Sequence, residues 1–476
     1  MNGLESLVAL LSPGAVSTHP GELALRSHDR WALALLREAR GDRVPPPAAV
    51  VFPNSTDEVA RTLAWAQETR TAVVPRGGGT GTVGGAEALK RSIVLDLTRM
   101  DRILAIDEVS QTVRAEAGVR GGELEAALAP KRLTTGHYPE SIAESTVGGW
   151  IASAALGHAS TGHGGVGELV LGLTAVLPGG EVLRVGSDPG PGMGPDLRAV
   201  LVGSEGVLGV ITEATLASFR LPSSYLWEAF RPNSFQTGMG LLREALQRGF
   251  RPLVFRLLDE ADAESVFAGL GHRGPVLLAG FDAGAPAAEA QALDLRKLAR
   301  DQGGWPLERG LGEHWWAHRY DGAARYEDVM GPRRALGQGV ILDSLGASAV
   351  WRHLASVYDL VRGTLLDHAE SVACRLSHPY VAGGSLHFTF VLRAEDDERA
   401  EQVYVEAWRA AALACAEAGG SLAHHGVGLQ KLPFVEAELG GSWVSTLARI
   451  KDALDPEGVL NPGKTIPPRE GVHAPN

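Results

Sequence analysis

Apolar and polar positions change period several times along the chain, and those changes mark its elements. Residues 1–43 read as helical, with Trp31, Leu33, Leu35 and Leu36 set among charges, and Pro45, Pro46 and Pro47 then stop any helix. A short strand follows at 50–52. Ser55-x-x-Glu58 has the spacing of a capping box and opens a helix to about residue 69, after which a strand at 72–74 runs into Arg76-Gly77-Gly78-Gly79-Thr80-Gly81-Thr82-Val83-Gly84-Gly85. Strand-like runs at 93–97, 103–106 and 112–115 precede a helix near 122–128. Two strands between 169 and 185 flank Pro178-Gly179-Gly180, a hairpin signal, and 208–216 reads as a further strand. After Pro222, strands at 226–230, 253–258 and 276–281 alternate with helical segments at 234–248 and 285–301. A long helical segment from about 394 to 418 ends at Gly419-Gly420, a plausible C-cap. The order is that of an α+β chain with breaks at 44/45 and 220/221.

Composition narrows the classes. A chain of 476 residues, 45% hydrophobic and 21% charged, is globular and too long for one ordinary core, so two principal domains are expected. The formal net charge of -12, with no basic run, argues against a nucleic-acid partner and for a small molecule. Cys374 and Cys415 are too few for a disulfide framework or a multi-thiolate metal site and fit a reducing compartment, with the cytoplasm as the default. Apolar stretches such as 169–177 fall far short of the ~20 residues of a membrane helix, so no span is expected. The N-terminus lacks the basic and apolar regions of a secretion signal, and 473–476 is not a peroxisomal tripeptide.

Three glycine-rich segments carry the candidate chemistry. In 75–82, adjacent glycines let backbone N–H groups approach an anion without Cβ obstruction, which suits a diphosphate; alone, the stretch also reads as a flexible turn. Gly79-x-Gly81-x-x-Gly84 matches a dinucleotide fingerprint, yet that fingerprint needs a helix starting at the glycines, and Gly84-Gly85 with a strand at Ile93 leaves no room for one. Residues 136–141 and 145–153 set small and hydroxyl residues at the opening of a helix, where they offer donors to another part of the same ligand. Residues 203–211 form a glycine turn entering a strand.

In that joint order the sequence resembles the FAD-binding oxidase/transferase type 4 family of vanillyl-alcohol-oxidase-type flavoproteins. It is closest to the alkyldihydroxyacetonephosphate synthases, with glycolate and D-lactate dehydrogenases as relatives. The resemblance runs from about 45 to 465 and rests on the loop at 75–80, the segments at 139–153 and the segment at 194–216. It implies a two-subdomain FAD-binding domain at 45–220 and an α+β substrate (cap) domain at 221–454, with a helical lead-in at 1–44 and a tail at 455–476. It implies FAD contacts at Pro75, Arg76, Gly77, Gly78, Gly79, Thr80 and Gly81, at Glu140, Ser141, Ser145, Thr146 and Ser153, and at Glu205, Gly206, Gly209 and Ile211.

In the second half, Arg256 sits on an expected strand among apolar residues, where a cation needs a partner. That partner is an acid such as Asp259 or, as the resemblance implies, a substrate anion. Arg333 is a second candidate that requires a one-residue gap. Where the synthases carry an acid/base tyrosine, this chain has His387, which also moves protons near neutral pH. His424 and His425 lie in a glycine loop like the synthases' histidine-rich loop. No further ligand stands at helical spacing, so no metal is expected. The expectation is an FAD-dependent oxidoreductase on a small anionic hydroxylated substrate, with Arg256 and Arg333 binding it and His387, His424 or His425 as base. A non-redox alkyldihydroxyacetonephosphate synthase and the flavin subunit of an electron-transfer assembly are the alternatives, and a homodimer is left open.

Overall fold

Parallel strand pairs are confined to the first sheet, and the later sheets are antiparallel. The computed structural model describes residues 2–42, 46–186 and 194–467. The expected break at 44/45 and the chain end at 473–476 lie outside them. Ala49–Val51, Ile93–Asp96 and Val73–Arg76 are neighbours in a parallel sheet, with Val16–Ser17 added antiparallel at its edge. These strands are apolar at successive positions because both faces are covered: Val50, Val74 and Val94 enter one cluster, while Val51, Val73, Ile93 and Leu95 enter the main core. The Thr56–Thr69 helix makes the crossover, capped by Ser55 accepting from the Glu58 N–H. The other half of the expected capping box does not form. The lead-in brings Ser12 within reach, and the Glu58 carboxylate accepts from the Ser12 and Asn54 N–H groups instead.

The next sheet is antiparallel with five strands, in the order Ile103–Asp107, Thr112–Glu116, Val210–Ala217, Val170–Val176, Val182–Gly186. It shares one hydrophobic core with the parallel sheet. A two-stranded ladder pairs Phe219–Arg220 with Leu133–Thr134, and the largest sheet has eight strands, all antiparallel. Its last five strands run in the order Val254–Leu258, Ser371–Pro379, Gly383–Arg393, Val340–Val350 and, at the edge, Ser421–Ala423.

Period-two alternation gives this large sheet two different faces. Phe255 and Leu257, Val372, Cys374 and Leu376, and Leu386, Phe388 and Phe390 pack with residues of the Phe235–Gln247, Trp351–Leu366 and Asp397–Glu417 helices into a second core. Their sequence neighbours Arg256, Arg375, Ser377, His387 and Thr389 line a cavity on the opposite face. Polar residues inside otherwise apolar strands are therefore gathered on one wall.

The lead-in is built into both halves. Leu7 and Leu11 join the first core, and Trp31, Ala32, Leu33, Ala34 and Leu36 join the second. Residues 459–461 return to the first half, where Val73 N–H donates to the Val459 carbonyl and Asn461 N–H to the Val73 carbonyl. Among the described residues, no helix is long and apolar enough to cross a membrane.

Candidate active site

A cavity of about 730 Å³ runs from the glycine loop to the polar face of the large sheet. Every residue assigned to the cofactor from sequence lies on its wall: 75–81, Glu140, Ser141, Ser145, Thr146, Ser153, Glu205, Gly206, Gly209 and Ile211. The loop leaves the Val73–Arg76 strand and begins no helix; the chain reaches the Ile93–Asp96 strand first, as the spacing predicts. None of the N–H groups of 77–82 has a hydrogen-bond acceptor among the described residues. The Arg76 Nε is buried without a partner, and its guanidinium lies 3.9 Å from Asp96. Burial holds the Arg76 pKa below its usual value. Successive free N–H groups beside a buried cation form a concavity suited to a diphosphate, so the residues present fit FAD.

The glycines have a further reason to be glycine. A Cβ on Gly78 would stand 2.1 Å from the Glu144 carbonyl oxygen, and one on Gly77 would stand 2.3 Å from Thr146 Oγ1. The loop is thus pressed against the 144–146 segment, which caps the Val147–Ala152 helix through Thr146. Asp29, Arg30 and Tyr326 also reach the wall; Arg30 N–H donates to the Gly81 carbonyl and Tyr326 to the Arg30 carbonyl.

Two of the acidic positions are engaged by protein. The Glu205 carboxylate accepts from the Val427 and Gly428 N–H groups and the Thr465 hydroxyl, so it clasps the C-terminal loop to the first half. Glu140 takes an ion pair at 3.1 Å from Arg375, whose other terminal nitrogen lies 3.2 Å from Asp262.

On the opposite wall, Arg256 is 5% exposed and makes no ion pair among the described residues. Asp259, its expected alternative partner, pairs with Arg362 instead. Arg256 stacks 4.7 Å from the Trp315 ring, and its Nε is buried without an acceptor. Burial, with the Arg375 charge, lowers its pKa to about 9, which leaves it cationic at neutral pH. Arg333 does not reach the cavity: it is 78% exposed and paired with Asp328 on the surface.

Sheet register explains the histidines. Arg375, His387, Gly346 and Ala423 form one row across four strands. A Cβ on Gly346 would lie 2.8 Å from the His424 ring, so the glycine leaves room for that imidazole. His424 and His425 both hold left-handed backbone, φ 60 and 61, which is uncommon outside glycine. Buried Lys431 secures the turn by donating to the Ala423 and His424 carbonyls. The His387 ring centroid lies 5.5 Å from that of His425 and 6.2 Å from that of His424.

Sequence reasoning missed His378, which a register shift after Leu376 brings to the same cavity, and His158, Arg319 and Asp343. The His378 Nε2–H donates to the Gly157 carbonyl at 3.0 Å. Its strand position carried a signal; His158 and Arg319 stand in segments with no periodicity to mark them. Burial is the first cause holding every imidazole of the cluster neutral: His378 is lowered to about 3, His425 to about 4, and His387 and His424 well below the ordinary value. No group of three or more metal-ligating side chains occurs among the described residues.

Comparison with known proteins matches residues 47–186 to an FAD binding domain and 225–465 to the C-terminal domain of FAD linked oxidases. An uncharacterized FAD-linked oxidoreductase, YgcU of Escherichia coli O157:H7, is 30% identical over 438 residues, covering 89% of this chain and 90% of that protein. An alkyldihydroxyacetonephosphate synthase of Trypanosoma brucei brucei is 29% identical over 471 residues, covering 91% and 75%. A solved alkyldihydroxyacetonephosphate synthase structure superposes with a TM-score of 0.80 at 21% identity, covering 97% of this chain and 84% of that one, which shows a shared fold.

Proposed function

We propose, from the premise that this chain belongs to the FAD-linked oxidase family, that it oxidises a small hydroxylated anion, a 2-hydroxy acid or a phosphorylated polyol. The observation that carries this reading is Arg256: a buried cation without an acid partner, on the sheet face that also holds His387, in a cavity continuous with the glycine nest. An unpaired buried charge is costly, and a substrate carboxylate or phosphate removes that cost.

FAD, when bound, supplies an acceptor for the two electrons and the hydrogen that leave the substrate carbon. The N–H groups of 77–82 and Arg76 hold its diphosphate. Arg256 orients the substrate anion. The hydroxyl proton passes to a neutral imidazole nitrogen, for which His387, His424 and His425 are the candidates. His424 Nε2 is buried without a partner, whereas His378 is occupied by the Gly157 carbonyl. Under this reading Glu205 and Glu140 hold the walls together, and Arg333 has no part in the site. The domain division proposed is a substrate domain carrying the large sheet and an FAD-binding domain carrying the remaining sheets, with the lead-in and tail packed across them.

The second reading, synthase chemistry without net oxidation, is favoured by the likeness to the Trypanosoma protein. The two differ in what they ask of residue 387. His387→Tyr is expected to slow bleaching of the flavin by a hydroxy acid while FAD stays bound, because a phenol with a pKa of about 10 is a poor base at neutral pH. Bleaching as fast as in the parent protein removes His387 from the mechanism.

A further inference from the structure

Arg256 is not the cavity's one unmatched cation. We propose that the substrate carries two separate acidic groups and that Arg319 receives the second. The proposal rests on the assignment of Arg256 to the first.

Of the guanidinium groups that line the cavity, those of Arg30 and Arg76 stand by the glycine loop, that of Arg325 is exposed and donates to the Ser265 hydroxyl, and those of Arg256, Arg319 and Arg375 remain. Arg375 is hydrogen-bonded to both Glu140 and Asp262. Arg256 lies in the field of those two carboxylates but contacts neither. Arg319 makes no ion pair among the described residues; it donates to the Trp316 carbonyl, and its Nε is buried without an acceptor. It is held in place by rings instead, 4.0 Å from Trp316, 4.3 Å from Tyr320 and 5.8 Å from Tyr138. Aromatic faces fix a cation without cancelling its charge, so the guanidinium keeps its attraction for an anion in the cavity.

The same aromatic layer links the two arginines. Trp315 carries Arg256 on its face, Trp316 carries Arg319, and the rings stand 6.1 Å apart. The His158 ring lies 5.4 Å from Trp315 and 5.8 Å from Tyr320, a ring from the layer under each arginine. Burial, and then the charges of Arg256, Arg375 and Arg319, hold His158 neutral, so both unpaired arginines act on one ring. A monoanion at Arg256 leaves Arg319 facing the cavity unmatched. A dicarboxylate or a phosphorylated acid satisfies both.

The test is equilibrium binding of unreactive acids to the FAD-loaded protein, read from the flavin spectrum. The probes are saturated dicarboxylates of three to six carbons, 3-phosphonopropionate, and the monocarboxylates of matching length. The expected result is that one dianion binds about tenfold or more tightly than its matched monoanion, and that Arg319→Met removes the difference while Arg319→Lys keeps part of it. The phosphonate and dicarboxylate arms identify the second acid. Equal affinities at every length overturn the proposal, as does a dianion preference that survives in Arg319→Met at parental FAD content. Monoanion binding indifferent to Arg256→Gln overturns the assignment of Arg256 instead, and binding of neither class overturns both.

Discussion

A methyl group added at residue 78 would meet the carbonyl oxygen of Glu144 at 2.1 Å. Real side chains do not approach backbone that closely, so Gly78→Val must push the loop away from the 144–146 segment. The expected outcome is folded protein with little bound flavin, measured as the ratio of flavin to protein absorbance. Retention equal to the parent would show that the loop is not part of the FAD site. The sequence marked this residue by its place in the loop but could not show that half the reason for it lies in another segment. Arg256 was legible for a similar reason, as a charge among apolar strand residues; that it stacks on Trp315 and leaves Asp259 to Arg362 was not. Arg256→Gln is expected to raise the Kd for the substrate by one to two decades with FAD still bound, since a charge-assisted hydrogen bond contributes about 1.5–3 kcal/mol. Unchanged affinity in the variant would remove the anion from Arg256.

Strand periodicity and register assemble the histidine cluster, and they also set its response to pH. An imidazole is a base only when neutral. Burial lowers His425 to about 4 and His378 to about 3, with His387 and His424 also displaced downward, so the free protein keeps its base ready well below the ordinary histidine value of about 6.5. As pH falls from 7, kcat/KM is therefore expected to hold to about pH 5 and to fall only below it. A bound anion stabilises a neighbouring imidazolium, so the inflection in kcat, which reports the complex, should lie at higher pH than that in kcat/KM. Coincident inflections near 6.5 would mean a solvent-exposed base and contradict the site described. His387 was singled out from its sequence, but neither the strand that carries it nor the Val340–Val350 strand that pairs with it was read there. The first eight residues of the latter are buried on both faces except for half-buried Ser344, so they show no alternation, and its partners are set by contacts distant in sequence.

The two halves are joined by segments that looked peripheral in the sequence. The lead-in enters both cores and places Asp29 and Arg30 on the cavity wall, and the tail returns to pair with Val73. A helical lead-in was expected from its leucines and tryptophan; its role as a strap was not, because nothing local to it names the surfaces it covers. Deleting residues 1–31 is expected to cost FAD retention as well as thermal stability, and a deletion that keeps full flavin content would show the strap to be dispensable to the site. The chemistry itself is tested most directly by an anaerobic addition of 2-hydroxy acids, including dicarboxylic ones, and phosphorylated polyols to the oxidised holo-protein. The account predicts that at least one bleaches the flavin fully, yields the corresponding carbonyl compound in equal amount, and gives back the oxidised spectrum when an electron acceptor is added. Exchange of the acyl chain of acyl-dihydroxyacetonephosphate for a fatty alcohol, with no acceptor consumed and no bleaching by any hydroxylated anion, would contradict it.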